Sequence, residues 1–253
     1  LEHRGAVGGD MKTGDGAGML LQIPHKFLSR VVDFTLPPEG EYGAGMIFLP
    51  ISENKAKEAC ALTEQVISAE GALLLGWRDV PINPDWLGEQ ARSVMPSFKQ
   101  VFVTFKDIKK NDLEQKLYIL RKVLEKTALE KGFDQSQYYI PSLSCKTMIY
   151  KGMFVSAQFV TFYPDLAEKD FESAISLVHQ RYSTNTFPSW PLAQPFRYIA
   201  HNGEINTLRR NAGNMSAREY TLSSEVYGDE IKKLIPVASS LGSDSAVFDN
   251  VFE

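Results

Sequence analysis

The sequence predicts an α+β domain whose sheets are mostly antiparallel. Three observations carry this expectation. Short apolar runs bounded by glycine or proline recur along the chain and read as buried strands. Longer stretches have helical spacing. The two kinds are mixed without the regular alternation of a parallel βαβ sheet. Neither a repeat nor a linker is apparent, so the 253 residues read as one domain.

The elements follow in order. Arg4 to Gly18 is glycine-rich and reads as a structured loop or a site rim, because glycine lets backbones approach closely. Leu20 to Ile23 reads as a short strand ended by Pro24, and Ala44 to Leu49 as a buried strand between Gly43 and Pro50. Ser52 is expected to cap a helix that runs to about Glu70 and stops at Gly71. Leu73 to Trp77 and Val101 to Phe105 read as strands. The clearest helix begins at Asn111, which stands at capping-box spacing from Glu114. Leu113, Leu117, Leu120, Leu124 and Ala128 then recur at intervals of three and four, and Gly132 closes the helix. After Pro141 come strand-like runs at Thr147 to Tyr150, Ala174 to His179 and Tyr198 to His201, then a helix over Ile205 to Arg218.

Composition narrows the function classes. Hydrophobic residues at 43% and charged residues at 23% are ordinary for a globular chain and exclude wholesale disorder. A formal charge of −4 argues against a nucleic-acid binder. No apolar run approaches the ~18 residues that a membrane span needs. Cys60 and Cys145 are too few for a disulfide framework and read as packing residues in a reducing compartment.

Some apparent motifs fail on spacing. Thr13 to Gly18 lacks the G-x-G-x-x-G pattern of a dinucleotide site, and Met11 stands where a P-loop before Lys12-Thr13 needs glycine. Lys12-Thr13-Gly14 and Ser52-x-x-Lys55 lie in the wrong order for a penicillin-binding enzyme. His3, His25, His179 and His201 show no metal-ligand spacing. The pairs Lys109-Lys110, Arg209-Arg210 and Lys232-Lys233 read as solvated surface.

Three segments survive. His179 to Thr186 is a strand end crowded with polar side chains, where the planar fork of Arg181 suits a carboxylate or, alternatively, a structural salt bridge. At Asn202-Gly203 a strand-like run from Phe196 meets either a hairpin turn or two converging donors, the Asn202 amide and the Gly203 N–H, that form an oxyanion hole. Asp244, among small polar residues, can accept from a ligand ammonium or cap the helix that follows. Together these groups describe a pocket for an α-amino acid whose carbonyl undergoes attack.

At these residues the chain resembles the N-terminal class II glutamine amidotransferase domain of the glutamate synthases. The resemblance is densest at His3 to Pro24, at Ile149-Tyr150-Lys151-Gly152-Met153, over His179 to Arg209, and from Gly242 to Asn250. The run His179 to Trp190, followed by His201 to Thr207, is specific to that enzyme among amidotransferases. The Asn185-Thr186-Phe187-Pro188-Ser189-Trp190 stretch argues against a purine-precursor or amino-sugar enzyme. The region from about Ser29 to Ile140 is less distinctive.

The resemblance implies an N-terminal-nucleophile hydrolase-like four-layer αββα sandwich with antiparallel sheets. It implies that Arg181 holds the glutamine α-carboxylate, Asp244 its α-amino group, and Asn202 with Gly203 the oxyanion. Thr184 would line the glutamine site and Arg4 would sit near the nucleophile. The family nucleophile is an N-terminal cysteine whose own amine is the base. The chain begins at Leu1 and ends at Glu253. Residues 1–253 are therefore expected to be a domain lacking its nucleophile segment and C-terminal part, inactive alone. Binding of glutamine without cleavage is the alternative. The parent would convert L-glutamine and 2-oxoglutarate to two L-glutamates. FMN, an iron–sulfur cluster and a donor, NAD(P)H or ferredoxin, would belong to the parent and none to these residues. Expected partners are L-glutamine, the remaining synthase domains and a small reductase subunit, with neither nucleic acid nor membrane. A cytoplasmic location is expected, or a plastid in a plant or alga.

Overall fold

In chain order the elements are β1 (Ala17–Gln22), α1 (His25–Val31), β2 (Gly43–Leu49), α2 (Glu53–Ala69), β3 (Ala72–Asp79), α3 (Glu89–Ser93) and β4 (Ser97–Phe105). There follow α4 (Lys110–Glu130), β5 (Tyr139–Ser144), β6 (Thr147–Gly152), α5 (Phe159–Phe162), β7 (Ser176–Gln180), α6 (Leu208–Glu219) and α7 (Asp244–Phe252). The structure is a computed structural model and describes residues 12–14, 16–180, 188–238 and 242–253.

Among the described residues the strands form two sheets, a three-stranded one in the order β6-β1-β7 and a four-stranded one in the order β3-β4-β2-β5. Every pairing is antiparallel, as the irregular mixture of elements predicts. Period-two side-chain alternation divides the buried strands between two cores. On β2, Ala44, Met46 and Phe48 join Phe98 and Phe102 of β4 and Met148 and Tyr150 of β6 between the sheets. Ile47 and Leu49, with Val101 and Val103, face the opposite way onto α2 and α4. This double burial explains why β2 reads as an unbroken apolar run rather than an alternating one.

Helix α4 buries the predicted stripe. Leu113, Leu117, Leu120, Leu124 and Ala128 are each at most 1% exposed. At about 1.5–3 kcal/mol per buried leucine, this face anchors the helical layer. The helix stops as expected: Gly132 has φ +90°, as Gly71 after α2 has φ +74°, both in the left-handed region that glycine adopts without strain.

Several expectations need correction. Helix α4 starts at Lys110, and no side chain caps it. Glu114 instead accepts from Ser144 Oγ at 2.6 Å, Cys145 N at 2.8 Å and Cys145 Sγ at 2.9 Å, so the turn between β5 and β6 takes the carboxylate meant for a capping box. Ser52 stands at the N-cap of α2 but makes no side-chain cap bond. Tyr198 to His201 is not a strand. The Asp249 carboxylate of α7 accepts from the N–H groups of Arg197, Tyr198 and Ile199 at 3.2, 2.8 and 3.2 Å, which removes the donors a ladder requires. Helix α6 begins at Leu208, because Thr207 at φ 65° breaks the helical path from Ile205. Cys60 is partly exposed, whereas Cys145 is buried as expected.

On the face of the three-stranded sheet turned away from the inter-sheet core, Pro191, Gln194, Pro195 and His201 lie over Gly18, Lys151 and His179. Gly18 permits this approach, since a Cβ there would stand 2.6 Å from Gln194 O. Lys151, opposite Gly18 on β6, is wholly buried and donates to Pro191 O at 2.7 Å and Tyr139 Oη at 3.2 Å. Its ammonium lies 4.8 Å from the Tyr139 ring centre and 4.7 Å from that of Phe196. Burial, with the nearby Arg197 charge, holds Lys151 well below the ordinary lysine pKa.

Candidate active site

Strand β7 delivers the first group. His179 is opposite Gly18 of β1 and is 8% exposed. Its Nε2 lies 3.1 Å from the carbonyl oxygen of His201 and 3.0 Å from Oδ1 of Asn202. The tip of β7 therefore holds the Asn202 turn, 22 residues further on, by main chain and side chain together.

His201 holds the other side of this turn. Its own N–H donates to Gln194 Oε1 at 2.9 Å, and its Nδ1 accepts from Gly203 N at 3.1 Å. A ring nitrogen that accepts is unprotonated, so in the neutral ring the proton is on Nε2. Nε2 then donates to Ser245 Oγ at 2.8 Å, and Ser245 Oγ donates to Asp244 Oδ1 at 3.2 Å. Ser245 N also donates to Asp244 Oδ1 at 2.7 Å, and Ile205 N to Asp244 Oδ2 at 2.9 Å. A continuous hydrogen-bond chain thus runs from Gly203 through His201 and Ser245 to Asp244.

Asp244 does not cap α7. Ser243 does, accepting from Ala246 N at 3.2 Å. Asp244 occupies the first helical position, 6% exposed, where the helix N-terminus favours a negative charge. Beside it lies a groove of about 330 Å³ lined mainly by apolar side chains, including Ile205, Leu208, Met215, Val247 and Phe248.

The structure therefore brings together Asn202, Gly203 and Asp244, three of the residues singled out from sequence. Asn202-Gly203 is not a hairpin turn, since among the described residues no strand follows it and the chain proceeds to α6. Asn202 and Gly203 are exposed, although Gly203 N–H is directed at His201 Nδ1. Arg4, Arg181 and Thr184 lie outside the described residues. Gln180, beside Arg181, ends β7 one residue beyond His179. Sequence reasoning gave no role to His179, His201 or Ser245. Their signal is adjacency: each lies within two residues of a group already singled out.

Neither cysteine resembles a nucleophile. Cys145 Sγ donates to the Glu114 carboxylate, and burial together with that partner pushes its thiol up to about 12. Cys60 sits on α2, its thiol also raised by burial. Among the described residues no group of three or more His, Cys, Asp or Glu side chains is placed to hold a metal ion. No helix among them is long and apolar enough to cross a membrane.

An antiparallel α+β sandwich in which one loop is bonded to both β7 and the start of α7 sets the frame for comparison with known proteins. The chain is a member of the class-II glutamine amidotransferases, whose family pattern matches residues 1–253. It is 44% identical over 256 residues to the NADPH glutamate synthase large chain of Bacillus subtilis, covering 100% of this chain and 17% of that one. It is 46% identical over 255 residues to the corresponding large chain of Azospirillum brasilense, covering 99% and 17%. Identity to the chloroplastic/mitochondrial ferredoxin-dependent glutamate synthase 1 of Arabidopsis thaliana is 40% over 257 residues, covering 100% and 16%. The chain thus spans about 17% of the length of the bacterial relatives.

Proposed function

We propose that this domain releases ammonia from L-glutamine within a glutamate synthase. The observation that carries the reading is the hydrogen-bond chain joining the Asn202-Gly203 turn to Asp244. It puts a candidate oxyanion site and a candidate ammonium acceptor in one constellation. Asp244 binds the α-amino group of glutamine, Arg181 pairs its fork with the α-carboxylate, and Thr184 lines the site. By the family resemblance, the thiolate of an N-terminal cysteine of the parent chain, outside residues 1–253, attacks the side-chain carboxamide carbon, with Arg4 near it. Its own amine takes the thiol proton and returns it to the leaving nitrogen. Asn202 Nδ2 and the Gly203 N–H carry the negative oxygen of the tetrahedral intermediate. Gly203 N–H does so by exchanging His201 Nδ1 for that oxygen. Ammonia leaves, and water hydrolyses the thioester to glutamate.

Sequence kinship with the glutamate synthases supports an onward fate for the ammonia. Elsewhere in the parent chain it aminates 2-oxoglutarate, and reduction gives a second glutamate. FMN and an iron–sulfur cluster would belong to that distant part of the parent as electron carriers, with NADPH, NADH or ferredoxin as the reductant. A small reductase subunit is the proposed partner for a nicotinamide donor. The cytoplasm is the proposed site, or a plastid in a plant or alga.

The reading is tested in the full-length enzyme with Asn202→Ala. The expected outcome is a ~10²–10³-fold fall in kcat for glutamine-dependent ammonia release, the usual loss for one oxyanion donor. A change below tenfold would leave Asn202 as an ordinary turn residue.

A further inference from the structure

The environment of His179 defines the orientation of the Asn202 amide. His179 Nε2 faces two oxygens, His201 O at 3.1 Å and Asn202 Oδ1 at 3.0 Å. The main-chain carbonyl can only accept, so Nε2 carries hydrogen. An N–H held there repels the NH₂ end of an amide and attracts its oxygen. The carbonyl thus sets the tautomer, and the tautomer sets the amide. Asn202 turns its oxygen to His179 and its Nδ2 away from the strand.

The surroundings keep His179 in place. It is 8% exposed, and β1 fixes its position through Gly18. The missing side chain at Gly18 lets Gln194 and Pro195 press onto the strand, where a Cβ would meet them at 2.6 and 3.0 Å. His201 N in turn bonds Gln194 Oε1, so the loop that carries Asn202 is seated over the histidine.

We infer that His179 is a positioning residue for the oxyanion site, acting through Asn202 so that the amide presents its NH₂ to the developing negative charge. This rests on the oxyanion reading of Asn202. A reversed amide would offer its oxygen to the intermediate and repel it. His179 serves the transition state rather than ground-state binding, so its loss falls on kcat and leaves KM for glutamine nearly unchanged.

The test is steady-state ammonia release by the full-length enzyme carrying His179→Leu, His179→Gln, His179→Glu, Asn202→Ala and the double variant His179→Leu/Asn202→Ala. His179→Leu is expected to lower kcat ~10–10²-fold with KM within about threefold. His179→Gln, which keeps an N–H donor, recovers most of the activity, whereas His179→Glu, which offers only acceptors when ionised, does not. The double variant is no slower than Asn202→Ala alone, because both changes remove one interaction. Additive losses, equal activity of the Gln and Glu variants, or a loss confined to KM would overturn the inference. Should the Leu variant fail to fold, the Gln and Glu pair decides. If Asn202→Ala itself leaves kcat intact, the oxyanion reading fails and this inference falls with it. A fall in Asn202→Ala alone, with His179→Leu unchanged, removes only the role of His179.

Discussion

Cys145 shows how a single residue's chemistry follows from its neighbours. Its Sγ lies 2.9 Å from Glu114 Oε2, and its own N–H donates to the same oxygen at 2.8 Å. Burial disfavours the thiolate first, and the adjacent carboxylate adds to it, so the thiol titrates near 12 instead of 9. A raised pKa means that the folded chain keeps its proton where the unfolded chain loses it. The stabilisation from this group is full below pH 9 and is lost as pH rises toward 12. At pH 9, iodoacetamide should label Cys145 in the native protein at least ~10²-fold more slowly than in the denatured chain, read by peptide mass spectrometry. Glu114→Gln should speed native labelling, because a neutral amide neither repels the thiolate nor requires the thiol proton. Equal rates in native and denatured protein would contradict this account.

At the scale of elements, local pattern succeeds where burial is uniform and fails where a distant carboxylate intervenes. The stripe Leu113, Leu117, Leu120, Leu124 and the run of β2 were legible, because each meets a continuous apolar surface. The capping box at Asn111 was not, because Glu114 is taken by Ser144 and Cys145, about thirty residues away. Tyr198 to His201 has strand-like composition, but Asp249 claims its donors from 50 residues further on. The candidate site divides the same way. Asn202, Gly203 and Asp244 were legible as clusters of polar and small residues. The roles of His179 and His201 were not, because they arise when β7 meets a loop 22 residues later and α7 meets that same loop.

For the whole molecule, a buried polar knot joins the two sheets. Arg78 of β3 forms a two-pronged ion pair with Asp165, at 2.7 and 2.8 Å, with side chains 10% and 3% exposed. Tyr150 of β6 donates to the same carboxylate at 2.9 Å, and Gln100 of β4 accepts from Arg78 at 2.9 Å and donates to Tyr150 at 2.9 Å. Tyr150 therefore resists ionisation: burial and the Asp165 charge raise its pKa well above the ordinary tyrosine value. Arg78→Met leaves Asp165 buried without its cation and should cost about 3–5 kcal/mol in denaturant unfolding. Adding Asp165→Asn should recover part of that loss, since the neutral amide needs no counter-charge. An Arg78→Met protein as stable as the parent would show that the knot does not hold the sheets.

Across all three scales, the account depends on one free amino acid being surrounded by groups that the fold collects from the ends of β7 and α7 and the loop between them. The most direct measurement is a crystal structure of the full-length enzyme with L-glutamate, the proposed product, bound. The prediction is an α-amino group within about 3.2 Å of the Asp244 carboxylate, the Arg181 fork on the α-carboxylate, and the side-chain carboxylate toward Asn202 and Gly203. Glutamate seated elsewhere, or Arg181 and Asp244 on opposite surfaces, would contradict it.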